Sequence, residues 1–419
     1  MKTYGLLGKK LGHSFSPYVH HAFGNSDYRL FETDDLVAFM KNASFDGINV
    51  TLPYKETMLP FLDVLDDVAA ATGSVNTVVR RDGRLFGYNT DYDGLRASFF
   101  RSGVSPKGKK VAVLGNGGTA KTVIRFLQDV GAASIDVYCR QPRRPGEMLL
   151  ASAGGDHDIL ISTTSVGMYP DDDVPPLVDL DRFPSLAFVF DLIFNPLRTN
   201  LILAAIARGI PSASGLFMLV AQAARSHELF TGNAVDEKTI LNVYLDLYKK
   251  EANIILIGMP LSGKSLYAGI LAREKDKTVF DTDDEIEKKS GLSISELFAS
   301  KGEAGFRAME EALIESIRHR HGLVMSTGGG MILNPLAMSR LRHNGVVIFL
   351  DKDYHRIMAV QIRNRPLIRT PEDVERLALA RRPLYESYAD VTVEIVGTRD
   401  ETVQEIEAKL DAYFNRQRS

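Results

Sequence analysis

The stretch from Asn253 to Ser265, NIILIGMPLSGKS, decides the fold class of the second half of the chain. Its apolar first part, Asn253–Ile257, predicts a buried β-strand, and the rest fits the pattern Gly-x4-Gly-Lys-Ser. The backbone amides of such a loop cradle phosphates, its lysine reaches the β- and γ-phosphates, and its serine hydroxyl binds Mg²⁺. The candidate ATP-binding residues are therefore Gly258, Ser262, Gly263, Lys264 and Ser265.

A second glycine-rich turn, of a different type, lies earlier in the chain. Gly115-Asn116-Gly117-Gly118-Thr119-Ala120 follows the apolar strand Lys110–Leu114 and precedes the helical run Thr119–Val130. Glycines let the backbone turn tightly against a pyrophosphate, and a helix N-terminus attracts its negative charge. The spacing departs from Gly-x-Gly-x-x-Gly, so from this loop alone a turn without a ligand stays open.

The strand after this loop, Ser134–Tyr138, indicates which dinucleotide the loop would bind. A strand ending in Asp or Glu would suit the 2′-hydroxyl of NAD. Here Cys139 and Arg140 follow, with Arg143 and Arg144 close behind. Arginine at this place suits the 2′-phosphate of NADP, whereas a solvated basic turn is the alternative interpretation.

Two glycine loops in a chain of 419 residues predict two catalytic units. Short apolar strands that alternate with helical patterns predict α/β architecture with mainly parallel sheets. The boundary is expected near Lys249–Ala252, where the amphipathic helix Glu237–Tyr248 ends and a new strand begins. We expect one domain over residues 1–95 that is completed by about 218–250, a second over 96–217 and a third over 251–419.

Composition excludes several classes of protein. The net charge of -3 gives no indication of binding to nucleic acid or to an anionic membrane. No apolar run reaches the ~20 residues of a membrane span, and the N-terminus has no signal-peptide pattern. Cys139 is the single cysteine, so no intrachain disulfide can form. We expect a cytoplasmic enzyme with small-molecule partners, as a monomer or a homodimer.

Polar residues recur at predicted strand ends and turns before the first glycine loop. Ser14 and Ser16 precede a proline and would face one side of an extended segment, although they could instead cap a helix. Residues 47–55, GINVTLPYK, read as a strand that ends in a proline turn and delivers one lysine. The segments SVNT at 74–77 and GYNTD at 87–91 follow. Singly, each indicates ordinary turn chemistry.

In this order the segments resemble the shikimate dehydrogenase family over about residues 1–250. The similarity continues in STTSVGM at 162–168, DLIFNPLRT at 191–199 and SGLFMLVAQ at 214–222. The resemblance implies an α/β substrate domain, a Rossmann-like domain for NADP(H), and reduction of 3-dehydroshikimate to shikimate. It implies that Lys55 and Asp91 are the catalytic pair, since a lysine beside a carboxylate can protonate the alkoxide that ketone reduction creates.

The same resemblance implies two sets of binding residues. Those implied to hold shikimate are Ser14, Ser16, Thr51, Asn76, Thr90 and Gln222. Those implied to bind NADP are Gly115, Asn116, Gly117, Gly118, Thr119, Arg140 and Gly215.

Three features depart from that family. Phe194 replaces a tyrosine, which removes a hydroxyl contact to the substrate, and Phe217 replaces a glycine near the nicotinamide end. Arg140 and Asp158 lie only 18 positions apart, where the family usually has another strand and helix. We therefore expect a trimmed cofactor domain with a more open adenosine side.

Charged segments follow the second glycine loop. The strand Thr278–Phe280 ends in Asp281-Thr282-Asp283, where two carboxylates can face one cleft, although Asp283 could instead cap the helix Glu285–Lys289. Further segments are GEAGFRAME at 302–310, TGGG at 327–330 after the strand Gly322–Ser326, RNRPL at 363–367 and RRPLY at 381–385. By themselves, the arginines could form a solvated surface.

With the second glycine loop, this order resembles the shikimate kinase family over residues 252–419. The resemblance implies a P-loop domain that phosphorylates shikimate with ATP, Lys264 acting on the phosphates and Arg365 closing on them. Ser265 and Asp281 would hold Mg²⁺, and Asp283 would orient or deprotonate the attacking hydroxyl. The residues implied to bind shikimate are Asp283, Arg307, Gly328, Gly329, Gly330 and Arg381. One departure is Leu261, where that family often has glycine.

The leading hypothesis is one chain that converts 3-dehydroshikimate into shikimate 3-phosphate, for aromatic amino-acid biosynthesis. An alternative, in which one half is a regulatory module such as a polyol sensor, is disfavoured because Lys55, Asp91, Lys264 and Asp283 are all present. An NAD-dependent quinate/shikimate dehydrogenase is disfavoured by Arg140 and the two serines. A gluconate-type sugar-acid kinase is disfavoured by Asp-Thr-Asp, the triple glycine and the arginine at 307.

Overall fold

Three β-sheets joined by helices make up the computed structural model, which describes residues 2–12, 14–358 and 370–417. The chain divides into two units, of which the first ends at Leu247 and the second begins at Tyr248. The first unit holds two six-stranded sheets and the second unit a five-stranded sheet. The predicted α/β class with mainly parallel sheets is confirmed. None of the helices in the described ranges is long and apolar enough to cross a membrane.

The first sheet is mixed, with the strand order β2-β1-β3-β5-β6-β4. Its strands are β1 Tyr4–Gly8, β2 Arg29–Glu32, β3 Gly47–Val50, β4 Val64–Leu65, β5 Thr77–Arg81 and β6 Arg84–Tyr88. The helices of this part are α1 Ser16–Ala22, α2 Leu36–Asn42, α3 Asp67–Thr72 and α4 Asp91–Arg101. An apolar cluster that includes Leu7, Ile48 and Val78 packs at this sheet.

Strand directions in this sheet gather distant segments at one edge. Strand β5 is antiparallel to both β3 and β6, with Asn49 opposite Thr77 and Thr77 opposite Tyr88. The end of β3, the start of β5 and the end of β6 therefore lie side by side. The residues that follow β3, precede β5 and follow β6 meet there, and these are the segments that carry the predicted catalytic pair.

The second sheet is parallel throughout, with the order β12-β11-β10-β7-β8-β9. Its strands are β7 Lys110–Leu114, β8 Ser134–Cys139, β9 Glu147–Leu149, β10 Ile159–Ser162, β11 Phe188–Asp191 and β12 Ser212–Ser214. The helices are α5 Gly118–Val130, α6 Asn200–Ala207, α7 Leu216–Thr231 and α8 Glu237–Glu251. Apolar clusters on both faces bury the central strands, as parallel sheets require: Val111 and Val113 join one cluster, Ala112 and Leu114 the other.

The trimming of this domain is confined to its helices. A three-residue strand, β9, pairs with the last three residues of β8 and keeps the sixth place in the sheet. Between Arg140 and Asp158, all of them described residues, the chain forms no α-helix and only a 3₁₀ turn at Leu150–Ser152. The strand order of a Rossmann sheet thus survives without the helices that usually connect these strands.

The third sheet is parallel, with the order β14-β15-β13-β16-β17. Its strands are β13 Asn253–Ile257, β14 Thr278–Asp281, β15 Leu323–Ser326, β16 Gly345–Asp351 and β17 Val391–Glu394. The helices are α9 Lys264–Glu274, α10 Thr282–Ser290, α11 Ile294–Ile317, α12 Pro335–Asn344, α13 Tyr354–Met358, α14 Pro371–Tyr388 and α15 Arg399–Arg416. The central strand β13 is fully buried and delivers the second glycine loop at its carboxyl end.

One predicted helix start in this unit is wrong. Helix α10 begins at Thr282 rather than at Glu285. Its N-cap is Asp281, whose Oδ1 accepts hydrogen bonds from the amides of Asp283 at 3.0 Å and Asp284 at 3.4 Å. A carboxylate at the N-cap satisfies amides that have no partner inside the helix. Asp281 is therefore the N-cap, and Asp283 lies inside the first turn.

Candidate active sites

The predicted catalytic pair of the first unit is in direct contact. Lys55 Nζ lies 2.6 Å from Asp91 Oδ2, and the two side chains are 19% and 10% exposed. Lys55 lies in the turn that follows β3, and Asp91 is the first residue of α4. The positive end of the α4 dipole favours a carboxylate at this position. The arrangement holds an ammonium group at an accessible place beside a fixed negative charge.

Asn76 joins this pair to two other predicted substrate residues. Its Oδ1 accepts from the amide of Thr90 at 2.7 Å, which fixes the orientation of the side chain. Its Nδ2 therefore faces Asp91 Oδ1 at 2.8 Å, Thr90 Oγ1 at 3.0 Å and Gln222 Oε1 at 3.3 Å. Four residues from three separate segments thus form one hydrogen-bonded cluster with Lys55, and three of the four belong to the predicted shikimate set.

A buried polar layer below the cluster was not predicted. Ser226, on α7, is fully buried, and its hydroxyl lies 2.8 Å from Thr77 Oγ1 and 3.1 Å from Thr90 Oγ1. Asn49 donates to Ser226 Oγ at 2.8 Å and accepts from the Tyr28 hydroxyl at 2.7 Å. Buried polar networks of this kind are rigid when every member is bonded, so the layer holds Thr90 in place. Asn49 stands in the quoted segment 47–55, but nothing in the sequence marked Ser226.

The other three predicted shikimate residues lie outside this cluster. Ser14 Oγ accepts from the amide of Ser16 at 3.2 Å, and helix α1 has Phe15 as its N-cap without a side-chain cap bond. The amide of Thr51 donates to Leu7 O at 2.9 Å. Within the described part of the chain, no hydrogen bond or ion pair links Ser14, Ser16 or Thr51 to Lys55 and Asp91. Their contact with substrate stays a prediction.

The two phenylalanines that depart from the family pattern have different surroundings. Phe194 lies beside Phe15, with ring centroids 5.6 Å apart, so an aromatic contact adjoins the two serines. Phe217 is buried, and its ring packs edge-on against Tyr244 with the Arg101 guanidinium 4.7 Å from its centroid. Phe217 therefore contributes to packing between α4, α7 and α8, a role that the sequence did not predict.

The first glycine loop leaves open space where a dinucleotide would lie. A Cβ on Gly117 would meet nothing within 4 Å, whereas a Cβ on Gly115, at φ +108°, would come within 2.6 Å of Thr163 Oγ1. Gly117 is the N-cap of α5, and Gly118 and Thr119 form its first turn, so free backbone amides face the opening. These features fit a pyrophosphate. Asn116 is turned instead toward the end of β8, where its Nδ2 donates to Gln141 O at 3.1 Å and to Glu147 Oε2 at 3.0 Å.

The remaining predicted NADP residues lie at the carboxyl edge of the same sheet. Arg140 directly follows β8 and is exposed. Gly215 follows β12, where its Cα passes so close to Leu192 that a Cβ would lie 2.0 Å from the Leu192 carbonyl oxygen. Gly215 is therefore required by close backbone packing, whatever its contact with a cofactor.

The second glycine loop has the conformation of a phosphate cradle. Gly258, at φ +146°, and Gly263, at φ +93°, adopt backbone angles that other residues avoid. Lys264 Nζ donates to Gly258 O at 3.0 Å and to Met259 O at 2.8 Å, so the ammonium lies over the loop. Ser262 is buried at the loop. Leu261 takes φ +67°, which costs a non-glycine residue about 1–2 kcal/mol and agrees with the glycine common in the related family.

The predicted magnesium ligands of the second unit lie together. Ser265 Oγ donates to Asp281 Oδ2 at 2.6 Å and lies 3.1 Å from Ser326 Oγ, a residue that the sequence did not mark. Among the described residues, no group of three or more His, Cys, Asp or Glu side chains could enclose a metal. A hydroxyl and a carboxylate fit Mg²⁺, which keeps several waters and takes its other ligands from nucleotide phosphates.

Two carboxylates and an arginine surround the first glycine of the TGGG segment. A Cβ on Gly328 would lie 2.8 Å from both Asp283 Oδ1 and Glu310 Oε1. Glu310 forms a short ion pair with Arg307, which also contacts Glu303 at 3.2 Å. Glu310 was not predicted. Burial raises its pKa to about 7, helped by Asp283 and opposed by Arg307.

The other two glycines of that segment contact the two predicted substrate-binding arginines, Arg307 and Arg381. A Cβ on Gly330 would overlap the Arg307 guanidinium. The carbonyl of Gly329 accepts from Arg381 Nη1 at 3.1 Å and from the Tyr385 hydroxyl at 2.5 Å. The predicted substrate residues Asp283, Arg307 and Arg381 therefore surround one glycine segment, and their contact with substrate stays a prediction. Arg365, the predicted lid arginine, lies outside the described residues.

Known proteins match the N-terminal part of the chain. The family model for the shikimate dehydrogenase substrate-binding domain matches residues 6–78. An NADP(+) shikimate dehydrogenase of Clostridium perfringens is 35% identical over 268 residues, which is 98% of its length and 59% of this chain. The chain belongs to the shikimate dehydrogenase family. A relative with the same name from Moorella thermoacetica is 38% identical over 257 residues.

Solved structures agree with this assignment. A chorismate mutase/shikimate 5-dehydrogenase fusion protein from Clostridium acetobutylicum has a TM-score of 0.55 and 31% identity, covering 60% of this chain and 98% of its own. A shikimate 5-dehydrogenase from Thermus thermophilus, solved with NADP(H) and shikimate, has a TM-score of 0.53 and 31% identity, covering 58% and 98%. The Thermus thermophilus structure therefore contains both the cofactor and the product that the resemblance implies for the first unit.

The second unit matches a different family model. The model for shikimate kinase matches residues 260–411, which includes the second glycine loop from Pro260 onward and the TGGG segment. The predicted resemblance to two enzyme families in one chain is confirmed. A shikimate kinase domain implies ATP and Mg²⁺, which the loop and the Ser265–Asp281 pair fit.

Proposed function

We propose that this chain catalyses two consecutive reactions. The first is NADPH-dependent reduction of 3-dehydroshikimate to shikimate, and the second is ATP-dependent phosphorylation of shikimate to shikimate 3-phosphate. The observation that carries the proposal is that each unit keeps its reactive pair in contact, Lys55 with Asp91 and Ser265 with Asp281. The product of the first reaction is the substrate of the second, which gives a reason for their fusion.

In the first reaction, the Lys55–Asp91 pair moves the proton. NADPH, when bound, supplies the hydride, and the ketone oxygen then needs a proton. Lys55 Nζ donates that proton and takes it back in the reverse direction, while Asp91, 2.6 Å away, orients the ammonium group. Asn76, Thr90 and Gln222 present amide and hydroxyl groups to the substrate polyol.

In the second reaction, catalysis depends on position and charge. Lys264 neutralises charge on the β- and γ-phosphates, and Ser265 with Asp281 holds Mg²⁺. Asp283, beside Gly328, orients the attacking hydroxyl of shikimate. Arg307 and Arg381, on either side of the glycine segment, bind the substrate carboxylate, for which the planar guanidinium is well suited.

The two-step proposal is tested with the purified full-length chain in one vessel. We incubate it with 3-dehydroshikimate, NADPH, ATP and Mg²⁺, and follow NADPH oxidation optically and shikimate 3-phosphate by phosphorus NMR. Omission of ATP should leave NADPH oxidation intact and stop at shikimate. If 3-dehydroshikimate is reduced but added shikimate is never phosphorylated, or the reverse, the bifunctional assignment is overturned.

Glu310 should make the kinase reaction dependent on pH. Ionised Glu310 pairs with Arg307 and holds it for the substrate carboxylate. Because the pKa of Glu310 is raised to about 7, kcat/KM for shikimate should rise as pH increases through about 7. The variant Glu310→Gln should lose that rise and show a shikimate KM about tenfold higher, equivalent to about 1.4 kcal/mol. Initial-rate kinetics from pH 6 to about 8.5 measures both effects.

The matched control for this variant is Glu303→Gln. Glu303 contacts the same arginine, but 46% of its side chain is exposed, and solvent weakens such pairs. We expect its pH profile to match the wild type.

The stability of the folded chain should change with pH in the opposite sense to kinase activity. The pKa of Glu310 is raised by folding, so the stability contributed by its neutral form is complete at low pH and is lost as pH rises through about 7. Equal pH profiles of kcat/KM for shikimate in the wild type and in Glu310→Gln would contradict the proposal that ionised Glu310 holds Arg307 for the substrate.

A further inference from the structure

The segment between β8 and β9 carries a carboxylate that no predicted role explains. Glu147 is the first residue of β9, which pairs with the last three residues of β8. Its side chain is 6% exposed, although the arginine-rich residues before it are exposed. A nearly buried carboxylate at the carboxyl edge of a Rossmann sheet lies where a dinucleotide binds, so its contacts are informative.

The chain folds back on itself to place this carboxylate. Arg144-Pro145-Gly146-Glu147 forms a β-turn in which the amide of Glu147 donates to Arg144 O at 3.2 Å. Proline at the second position and glycine at φ +85° at the third are the residues that a type II turn requires. The turn returns the Glu147 side chain toward the backbone of residues 140–146, a segment that we name the arginine turn.

One carboxylate oxygen of Glu147 accepts hydrogen bonds from the backbone of the arginine turn. Glu147 Oε2 accepts from the amides of Arg143 at 2.7 Å and Arg144 at 3.2 Å, and the Cys139 thiol lies 3.8 Å away. These donors, chiefly the Arg143 amide, lower the pKa of Glu147 against the opposing effect of burial. The turn is therefore wrapped around a fixed anion. Its arginines are exposed, and Arg144 Nη1 lies 4.0 Å from the other oxygen of Glu147, Oε1.

The same oxygen ties the arginine turn to the first glycine loop. Asn116 Nδ2 donates to Glu147 Oε2 at 3.0 Å and to the Gln141 carbonyl at 3.1 Å. In Rossmann domains the adenosine ribose lies between the glycine loop and the end of the second strand, which is β8 here. Glu147 is thus bonded to both sides of that site, to the arginine turn and to Asn116 of the first glycine loop. Among the described residues, no carboxylate lies within ion-pair distance of Arg140 or Arg143, which leaves both available to an anion.

We propose that Glu147 is a positioning residue for NADP(H), which holds the arginine turn so that Arg140 and Arg143 meet the 2′-phosphate and thereby sets the preference over NAD(H). The inference rests on the proposed dehydrogenase function. Glu147 takes over, through bonds to backbone amides, the support that a connecting helix would give this turn. The cofactor domain lacks the usual connecting helix here, but it keeps the arginine turn that would bind the 2′-phosphate.

The test compares binding of NADP⁺ and NAD⁺ to the full-length chain by titration calorimetry. Glu147→Ala should weaken NADP⁺ binding by about tenfold or more and NAD⁺ binding by less than about threefold, because only NADP⁺ carries the phosphate. Glu147→Gln, which keeps the size and one acceptor oxygen, should weaken NADP⁺ binding by an intermediate factor. The KM for NADPH should rise in parallel, with kcat at saturating NADPH unchanged within about twofold.

A double-variant cycle separates positioning from direct contact. In an Arg140→Ser background, which removes a guanidinium that Glu147 is proposed to place, Glu147→Ala should weaken NADP⁺ binding less than it does in the wild type. Asp156→Asn is the matched control, since this carboxylate of the same domain is 66% exposed and pairs with Lys110. Asp156→Asn should bind NADP⁺ and NAD⁺ with the same affinities as the wild type.

Three results would overturn the inference: an equal loss for both nucleotides, no loss for either, or tighter NADP⁺ binding by Glu147→Gln, which would mean that the charge only repels the phosphate. Failure of the proposed function gives a different result. A wild-type chain that binds NADP⁺ but reduces no 3-dehydroshikimate refutes the reaction and leaves the comparison of nucleotides valid. A wild-type chain without preference for NADP⁺ refutes the inference alone.

Discussion

Replacement of Lys55 by methionine is expected to reduce kcat of the dehydrogenase reaction by about 10³-fold, in the range that loss of a general acid produces. Methionine keeps most of the side-chain length but has no proton to give. Asp91 and Asn76 should stay bonded to each other at 2.8 Å, so the KM for the substrate should change far less than kcat. Steady-state kinetics with 3-dehydroshikimate and NADPH measures the two constants separately.

The same variant should phosphorylate shikimate at the wild-type rate within about twofold, because Lys55 and the second glycine loop belong to separate units. Lys109→Met is the control for general effects of removing a lysine. Lys109 is half exposed and pairs with Asp158 at the opposite end of β7 from the first glycine loop. Loss of kinase activity in Lys55→Met would show that the two units do not act independently, and a surviving reductase would remove Lys55 from the mechanism.

The sequence predicted those parts of the fold that rest on local pattern. The strand predicted at Asn253–Ile257 is found with the same bounds as β13, since a short apolar run between charged and glycine residues has few other solutions. The contact between Lys55 and Asp91 depends on the antiparallel pairing of β5 with β3 and β6. No local pattern contains that pairing, so only the resemblance to a family predicted that the two residues meet.

Residues that act through tertiary contacts escaped prediction. Glu310 and Glu311 are identical neighbours on α11, but Glu310 is fully buried beside Gly328 and Arg307, whereas Glu311 lies only partly buried. A helical pattern cannot distinguish the two residues. The difference arises because the TGGG segment, which follows β15, lies beside Glu310. Glu147 escaped for a related reason, since the proline and glycine before it predict a turn but not the donors to which the turn brings its carboxylate.

Replacement of Lys264 by alanine is expected to reduce kcat of the kinase reaction by about 10²–10³-fold, the cost of removing one fixed positive group from a transition state. Lys264 is 7% exposed and lies over the second glycine loop, where it donates to Gly258 O and Met259 O. Its ammonium is thus held over the loop by backbone carbonyls, where it would neutralise charge on the β- and γ-phosphates of bound ATP. Coupled measurement of ADP release at saturating shikimate gives kcat and the KM for ATP.

The dehydrogenase reaction of Lys264→Ala should match the wild type within about twofold, which makes this variant the reciprocal of Lys55→Met. The control is Lys288→Ala, because Lys288 lies on α10 of the same unit, is 69% exposed and pairs only with Glu285 among the described residues. We expect no loss of either activity in the control.

The two active-site variants should complement each other when they are mixed. A mixture of Lys55→Met and Lys264→Ala chains should convert 3-dehydroshikimate to shikimate 3-phosphate through free shikimate. A mixture that accumulates shikimate without phosphorylating it would mean that the kinase unit accepts shikimate only from its own chain.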